Sequence, residues 1–110
     1  MNKLVVKNAD YVHFVYLADV VYLHKSKSST LFALNNRQAL VGDAEFSYYE
    51  AMLTGHRFVK PWPGFLVNTA HIVEVRTKWP RLLILTNGKR IPLAPHLRRT
   101  VEEIIEGRNL

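Results

Sequence analysis

The chain has 110 residues, enough for a single domain with one modest hydrophobic core. A 48% hydrophobic share and 22% charged residues argue against a disordered chain, and the lack of cysteine excludes a disulfide framework and a thiolate metal site. The net charge of +6 favours a polyanionic partner. The sequence has no signal-peptide pattern and no apolar stretch near the ~20 residues of a membrane span, so we expect a cytoplasmic protein with no membrane insertion.

Short apolar and alternating runs predict β-strands over most of the first part of the chain. The predicted strands cover residues 4–7, 11–16, 19–24, 30–34 and 37–41. The run from Val20 to Leu23 is apolar at successive positions, which indicates a strand buried on both faces. The segment from Lys25 to Ser29 predicts a polar hairpin loop, and Asn35 and Asn36 can supply the positive φ angles of a tight turn.

The hydrophobic period changes to that of a helix between residues 43 and 53. Asp43 suits the N-cap of this helix, and Gly55 suits the C′ position that follows it. One face of the helix carries apolar residues, which we interpret as core contacts rather than a ligand site: Phe46, Tyr49, Met52 and Leu53.

Two prolines interrupt the extended segment that follows the helix. Pro61 and Pro63 cannot donate to a strand ladder, so residues 58–67 are expected to contain a loop or a strand edge. Further strands are predicted at residues 72–76 and 81–86, joined by a basic turn. Asn87-Gly88 then predicts a type I′ hairpin turn into residues 89–93.

A final helix is predicted to begin at Pro95 and to end at Gly107. Its apolar stripe consists of Leu97, Val101, Ile104 and Ile105. The elements together predict a mainly β, mainly antiparallel domain with two short helices and without the consecutive helix pair of a helix-turn-helix. The five histidines lack metal-ligand spacing, and neither a phosphate-binding glycine loop nor a nucleophile elbow is present. We therefore expect no enzyme activity, no cofactor and no metal site.

Three segments carry a shared pattern: Asp19-Val20-Val21-Tyr22-Leu23, then Phe58-Val59-Lys60-Pro61-Trp62-Pro63-Gly64-Phe65-Leu66-Val67-Asn68 with Ile72, then Asn87-Gly88-Lys89-Arg90-Ile91-Pro92-Leu93-Ala94-Pro95. In this order and spacing they resemble the LytTR domain, the DNA-binding output module of many bacterial response regulators. The resemblance covers about residues 3–105, and we expect residues 1–110 to form one domain. It implies about ten strands in three small antiparallel sheets and two short helices. It also implies that loops at one long edge enter successive major grooves, commonly on paired direct repeats.

The chain departs from the family pattern where the family contacts DNA. The family's Arg-x-His-Arg-Ser stands here as Lys60-Pro61-Trp62-Pro63-Gly64, which replaces phosphate-binding and base-reading side chains with Trp, Pro and Gly. The Ser and Arg of the last motif are Ala94 and Pro95. The structural motifs are retained while much of the contact chemistry has changed.

DNA contact requires cations that reach phosphates, and donors or acceptors that reach base edges. The resemblance places such contacts in the loop that contains Ser28, in the loop after residue 59 and at the start of the last helix. The candidate phosphate contacts are Lys25, Lys27, Lys60, Arg98 and Arg99, and the candidates for reading bases are Ser29, Trp62 and His96. Ser28 is a further candidate DNA contact in the first of these loops.

Trp62 has three possible roles: it packs on a thymine methyl or sugar, anchors a partner protein, or folds back on its neighbouring prolines. Our leading hypothesis is a standalone transcriptional regulator that binds double-stranded DNA, as a homodimer or as two copies on repeated half-sites. The alternative is a protein-interaction module in which the altered edge no longer reads DNA. In that case the Trp62 loop docks a regulatory partner protein.

Other polar and aromatic residues receive structural or uncertain roles. Asn68 is expected to bond backbone groups at the turn into the next strand. The basic cluster of Arg76, Lys78 and Arg81 is a less favoured candidate for DNA contact, because its loop can lie on the opposite edge. Aromatic residues expected in the core are Tyr22, Phe32, Phe58 and Phe65.

Overall fold

A computed structural model describes residues 2–97, 99 and 102. Within that part of the chain there are ten strands and one continuous α-helix, α1, at Phe46–Leu53. The strands are β1 Lys3–Lys7, β2 Val12–Tyr16, β3 Val20–Ser26, β4 Ser29–Leu34, β5 Ala39–Gly42, β6 Phe58–Val59, β7 Phe65–Asn68, β8 Ile72–Arg76, β9 Leu82–Leu85 and β10 Arg90–Pro92. Short 3₁₀ turns lie at Leu17–Asp19, Thr69–His71 and Pro95–Leu97.

The strands form three antiparallel sheets, which confirms the predicted architecture. The first sheet is the β1–β2 hairpin, the central sheet has the order β5-β4-β3-β7-β6, and the third has the order β10-β9-β8. The first and third sheets cover opposite faces of the central sheet, and the molecule is elongated, with extents of 43 × 26 × 25 Å. A long edge is therefore available for contact with an extended partner.

The central sheet is buried on both faces, as the apolar run in β3 predicted. Leu23 and Leu66 point into a first core, shared with the β1–β2 hairpin and α1. Val21 and Val67 point to the other face and into a second core, shared with the third sheet. All four side chains are fully buried. Alternation along β7 thus sends neighbouring residues into different cores and connects all three layers.

Helix α1 begins later than the sequence indicated. Its N-cap position is Glu45, whose side chain makes no capping bond, so the expected N-cap at Asp43 is wrong. Asp43 instead donates its backbone N–H to the Lys7 carbonyl at 2.9 Å, which ties it to β1. The end of the helix is as expected, with Gly55 at the C′ position and a φ of 89° that suits glycine.

Two hairpins share one loop geometry that the sequence did not predict. The turns close through Arg37 N to Leu34 O at 3.1 Å and through Gly88 N to Leu85 O at 2.8 Å. Positive φ falls at Arg37 (67°) and Gly88 (85°), the last residue of each three-residue loop. The expected positive φ at residues 35 and 36 and the expected type I′ turn at residues 87–88 are therefore wrong. A three-residue loop needs the left-handed conformation only at its last position.

The asparagines of these hairpins act through their side chains instead. The Asn36 side-chain oxygen accepts the Gln38 N–H at 2.9 Å, and that of Asn87 accepts the Lys89 N–H at 3.1 Å. Such local bonds stabilise a turn without requiring a left-handed backbone at the asparagine.

Gly88→Ala is expected to lower the free energy of unfolding by about 1 kcal/mol, because a Cβ at a φ of 85° is strained. A Cβ built at Gly88 meets nothing within 4 Å, so the cost is that of the backbone alone. The matched change is Arg37→Gly, which should leave stability unchanged or raise it. Urea unfolding measures both. An alanine at residue 88 with wild-type stability would contradict the assigned loop geometry.

Two of the four aromatic residues expected in the core are only half-buried. Phe32 and Phe58 are buried as predicted. Tyr22 and Phe65 lie on the second-core face of the central sheet and are packed against that core from one side. The Lys89 ammonium approaches the two rings at 6.0 and 5.8 Å from their centroids. The third sheet has three strands and the central sheet has five, so the third sheet does not cover the whole face on which these two rings lie.

Asn68 has the structural role that the sequence predicted. Its side-chain amide donates to the carbonyls of Leu17 at 3.1 Å and Val20 at 2.9 Å, and its side-chain oxygen accepts the Ala70 N–H at 3.0 Å. The residue is buried, so these bonds replace water for two carbonyls at the start of β3.

The predicted C-terminal helix is described only in part, and its described residues Arg99 and Glu102 are helical. Residues Pro95–Leu97 form a 3₁₀ turn. The rest of the predicted apolar stripe and the expected end at Gly107 lie outside the described residues.

Candidate nucleic-acid interface

The β3–β4 connection is a tight turn rather than the five-residue loop that was expected. Ser26 pairs with Ser29 at the end of the ladder, which leaves only Lys27 and Ser28 in the turn. Lys27 has a φ of 54°, and the Ser29 hydroxyl donates to the Ser26 carbonyl at 3.0 Å. The two turn residues are exposed at the tip, while the Ser29 hydroxyl closes the turn.

A five-residue loop, Lys60–Gly64, joins β6 to β7; we call it the proline loop. Three backbone bonds hold it in place: Ala94 N to Pro61 O at 2.8 Å, Lys25 N to Gly64 O at 2.8 Å and Phe65 N to Trp62 O at 3.1 Å. Pro61 is buried, and Gly64 has a φ of 81°. The loop is therefore a fixed platform that links the end of β3 to the segment after β10.

Trp62 lies on this platform with 40% of its surface exposed. The rest of the side chain is covered by the protein. The exposed part of the indole is large enough to contact a partner. The backbone bond from Phe65 to the Trp62 carbonyl keeps the residue at the turn of the loop.

A groove of about 550 Å³ separates the β3–β4 turn, the start of α1 and the proline loop. Four residues that the sequence indicated as DNA contacts line it: Lys25, Lys27, Ser28 and Lys60. They come from two loops more than 30 positions apart in the chain. The bond from Lys25 N to Gly64 O explains why the two loops meet.

Two acidic residues, one at the N-cap of α1 and one within it, line the same groove, and no sequence pattern indicated them. They are Glu45 and Glu50. The Lys60 ammonium lies 2.7 Å from a carboxylate oxygen of Glu50, and the two side chains are 44% and 31% exposed. Because an ion pair this exposed contributes little stability, a phosphate can compete for Lys60. Glu50 thus both orients Lys60 and reduces the positive potential of the groove.

The segment after β10 lies beside the proline loop, because Ala94 bonds to Pro61. His96 is exposed within the 3₁₀ turn that follows, and Arg99 is also exposed. Arg98, the third candidate of this segment, lies outside the described residues. The structure therefore brings His96 to the same edge as the groove.

The β8–β9 turn, residues 77–81, leaves the third sheet at the end that adjoins the proline loop. Leu93 N donates to Arg81 O at 3.1 Å, and the next amide, that of Ala94, donates to Pro61 O. The basic cluster of Arg76, Lys78 and Arg81 was the less favoured candidate for DNA contact, and these bonds place its base next to the segment that contacts the proline loop. The turn from β9 into β10 reverses the chain, so the start of β9 and the end of β10 lie together, next to the segment that bonds to the proline loop.

His24, which precedes Lys25, does not add a cation to this edge at neutral pH. Its ring stacks on Phe65 at 4.2 Å with an interplanar angle of 5°. Burial, and secondarily the nearby charge of Lys89, lower the pKa of His24 below its usual value. The neutral imidazole serves as part of the aromatic surface on the second-core face.

Metal and membrane features are absent from the described part of the chain. No group of three histidine, aspartate or glutamate residues is arranged to hold a metal ion among residues 2–97, 99 and 102. Of the helices within those residues, none has the length and apolar character needed to cross a membrane.

The chain matches one protein-family model and has the same fold as a solved structure. The family model described as LytTr DNA-binding domain matches residues 10–106. Among the solved structures that match is the LytTr DNA-binding domain of a protein described as a methyl-accepting/DNA response regulator from Bacillus cereus. It has a TM-score of 0.77 and 20% sequence identity, over 96% of this chain and 97% of that chain. No curated protein is similar enough to this chain to count as a match.

Proposed function

The chain belongs to the LytTR DNA-binding domain family, and from that premise we propose that it acts in the cytoplasm as a sequence-specific transcriptional regulator that binds double-stranded DNA. The proposal rests on the positively charged side chains that lie together along one edge of the molecule. Lysines from the β3–β4 turn and the proline loop line one groove, and the segment with His96 is bonded to the same loop. Cations gathered along one edge match the phosphates of a duplex.

The size of the molecule supports contact with more than one groove. Its longest extent is 43 Å, and one turn of B-DNA spans roughly 34–36 Å. A domain of this length, laid along the duplex, can present loops to successive major grooves. We propose that the β3–β4 turn and the segment around His96 enter those grooves, with the proline loop between them.

The proposed roles divide between anchoring and reading. Cationic side chains anchor the domain on phosphates: Lys25, Lys27, Lys60, Arg98 and Arg99. Polar and aromatic side chains at the same loops read base edges: Ser28, Ser29, Trp62 and His96. With arginine and histidine donors replaced in the proline loop, apolar contact of Trp62 with a thymine methyl or sugar becomes the main reading mode there. Two copies, as a homodimer or side by side, would occupy repeated half-sites.

The exposed indole of Trp62 favours one further candidate, a protein-interaction module. In that case the proline loop docks a regulatory partner, and the edge has lost DNA reading. The convergence of Lys25, Lys27 and Lys60 on a single groove argues for DNA, because a purely apolar docking site does not require three cations.

Selection from random duplexes tests the proposal directly. We expect the purified chain to enrich a defined site, and its affinity for that site should fall steeply with salt. For about five phosphate contacts, affinity should drop a few hundred-fold between 50 and 200 mM salt. Fluorescence anisotropy at several salt concentrations measures the slope. A chain that enriches no sequence and binds the promoter of its own gene without salt dependence would refute DNA binding.

A further inference from the structure

The β8–β9 turn carries the most exposed large apolar side chain in the described part of the protein. Trp79 is 90% exposed, against 40% for Trp62. It follows Lys78 at the tip of the turn, and residues 77–81 contain no acidic side chain. The tip thus combines an exposed indole with a cation, two side chains that can contact a sugar and a phosphate.

Arginines flank this turn at its base. Arg81 donates its Nε–H to the Thr77 carbonyl at 3.1 Å, across the turn. Arg76 donates its Nε–H to Glu74 at 2.6 Å. The Arg81 bond thus braces the turn at its base, while the Arg76 bond stays within β8, and Lys78 and Trp79 lie at the tip. A braced turn loses little conformational entropy when it binds.

The position of the turn decides the class of partner. Hydrogen bonds from Leu93 to Arg81 and from Ala94 to Pro61 connect the start of β9 to the proline loop. The turn therefore continues the edge that holds the lysine groove and His96. To a duplex lying on that edge, the tip of the turn offers a cation and no carboxylate.

We propose that the β8–β9 turn is a second DNA contact that extends the interface beyond the family-like loops, with Lys78 on a phosphate and Trp79 on the adjoining sugar and minor-groove edge. This inference rests on the proposed DNA binding. Apolar side chains suit sugars and base steps in the minor groove, while lysine supplies the phosphate contact. The turn thus lengthens the footprint at one end.

Hydroxyl-radical footprinting on the duplex selected by the wild-type chain tests the proposal. Trp79→Ala and Lys78→Gln should each lose protection at one end of the footprint only. Each should weaken binding about tenfold, and Lys78→Gln should reduce the salt slope by about 1. Trp79→Phe should give an intermediate loss. Because Trp79 is almost fully exposed, the melting temperatures should equal that of the wild type.

Matched controls come from the β1–β2 hairpin, which carries no proposed DNA contact. Phe14→Ala removes an aromatic side chain that is 70% exposed, and Lys3→Gln removes an exposed lysine. Both should keep the full footprint. If the wild type binds its site but the Trp79 and Lys78 variants give unchanged footprints, this inference fails while the proposed function stands. Loss of self-association in the Trp79 variant with unchanged DNA binding would make the turn a protein contact. If the wild type protects no DNA, both proposals fail.

Discussion

Lys60→Glu is expected to weaken binding to the selected duplex about 100-fold, the largest functional effect of any single change proposed for this chain. The change removes a phosphate contact and places a carboxylate on the DNA side of the proline loop. It also sets two carboxylates together, because the Lys60 ammonium now lies 2.7 Å from Glu50. Anisotropy titrations at fixed salt measure the loss.

Two further changes separate the local contact from the total charge. Lys3→Glu makes the same change in net charge at the far end of β1, where the Debye length of about 8 Å at physiological salt screens it from the groove. It should weaken binding less than threefold. Glu50→Gln should strengthen binding two- to threefold, because Lys60 then faces no competing carboxylate. Equal losses for Lys60→Glu and Lys3→Glu would show that the groove does not contact DNA.

Asn68→Asp is expected to destabilise the fold by about 3–5 kcal/mol, although the two side chains have the same shape. The asparagine amide donates to two carbonyls, those of Leu17 and Val20. A carboxylate has no donor and would place a buried negative charge against both oxygens. Thermal or urea unfolding at neutral pH measures the loss.

The destabilisation should depend on pH in a defined direction. Burial and the facing carbonyls raise the pKa of the introduced carboxyl in the folded state above its unfolded value of about 3.9. A raised carboxyl pKa means that the folded state holds the proton more tightly. Stability is therefore greatest below the unfolded pKa and is lost as pH rises through the folded pKa. The deficit relative to wild type should be smaller near pH 4 than at pH 7.

Asn87→Asp is the matched control for this substitution. The Asn87 side chain acts only as an acceptor, for the Lys89 N–H, and a carboxylate keeps that bond. Its stability should change by less than about 0.5 kcal/mol. A large loss at both positions would show that the cost is general to the substitution and not specific to the donor bonds of Asn68.

Much of the fold was predictable because hydrophobic periodicity is local. The apolar run in β3 indicated burial on both faces, and residues 20 and 21 are fully buried in different cores. The prolines of residues 61 and 63 correctly indicated a loop between two strands. The turn details were less predictable. Asparagine and glycine favour several turn types, and the strand register selects which backbone carries the positive φ, here Arg37 and Gly88.

The individual residues of the candidate site could be predicted from the sequence, but their positions relative to one another could not. Charge and family pattern indicated lysines in the β3–β4 turn and the proline loop. No pattern indicated that Glu50 would pair with Lys60, because this pair requires α1 to pack over the groove. Nor did a pattern indicate that the β8–β9 turn lies beside the proline loop, because the link runs through backbone bonds from Leu93 and Ala94.

The sequence by itself determined the strand pattern, the family and the positive charge, because each depends on the order and type of residues along the chain. Only the tertiary structure decided which loops form one edge. That edge depends on backbone bonds between residues far apart, such as Lys25 with Gly64 and Ala94 with Pro61. Every residue has the same backbone carbonyl, and every residue except proline has the same amide. The type of a residue therefore does not indicate which distant residue its backbone will bond to.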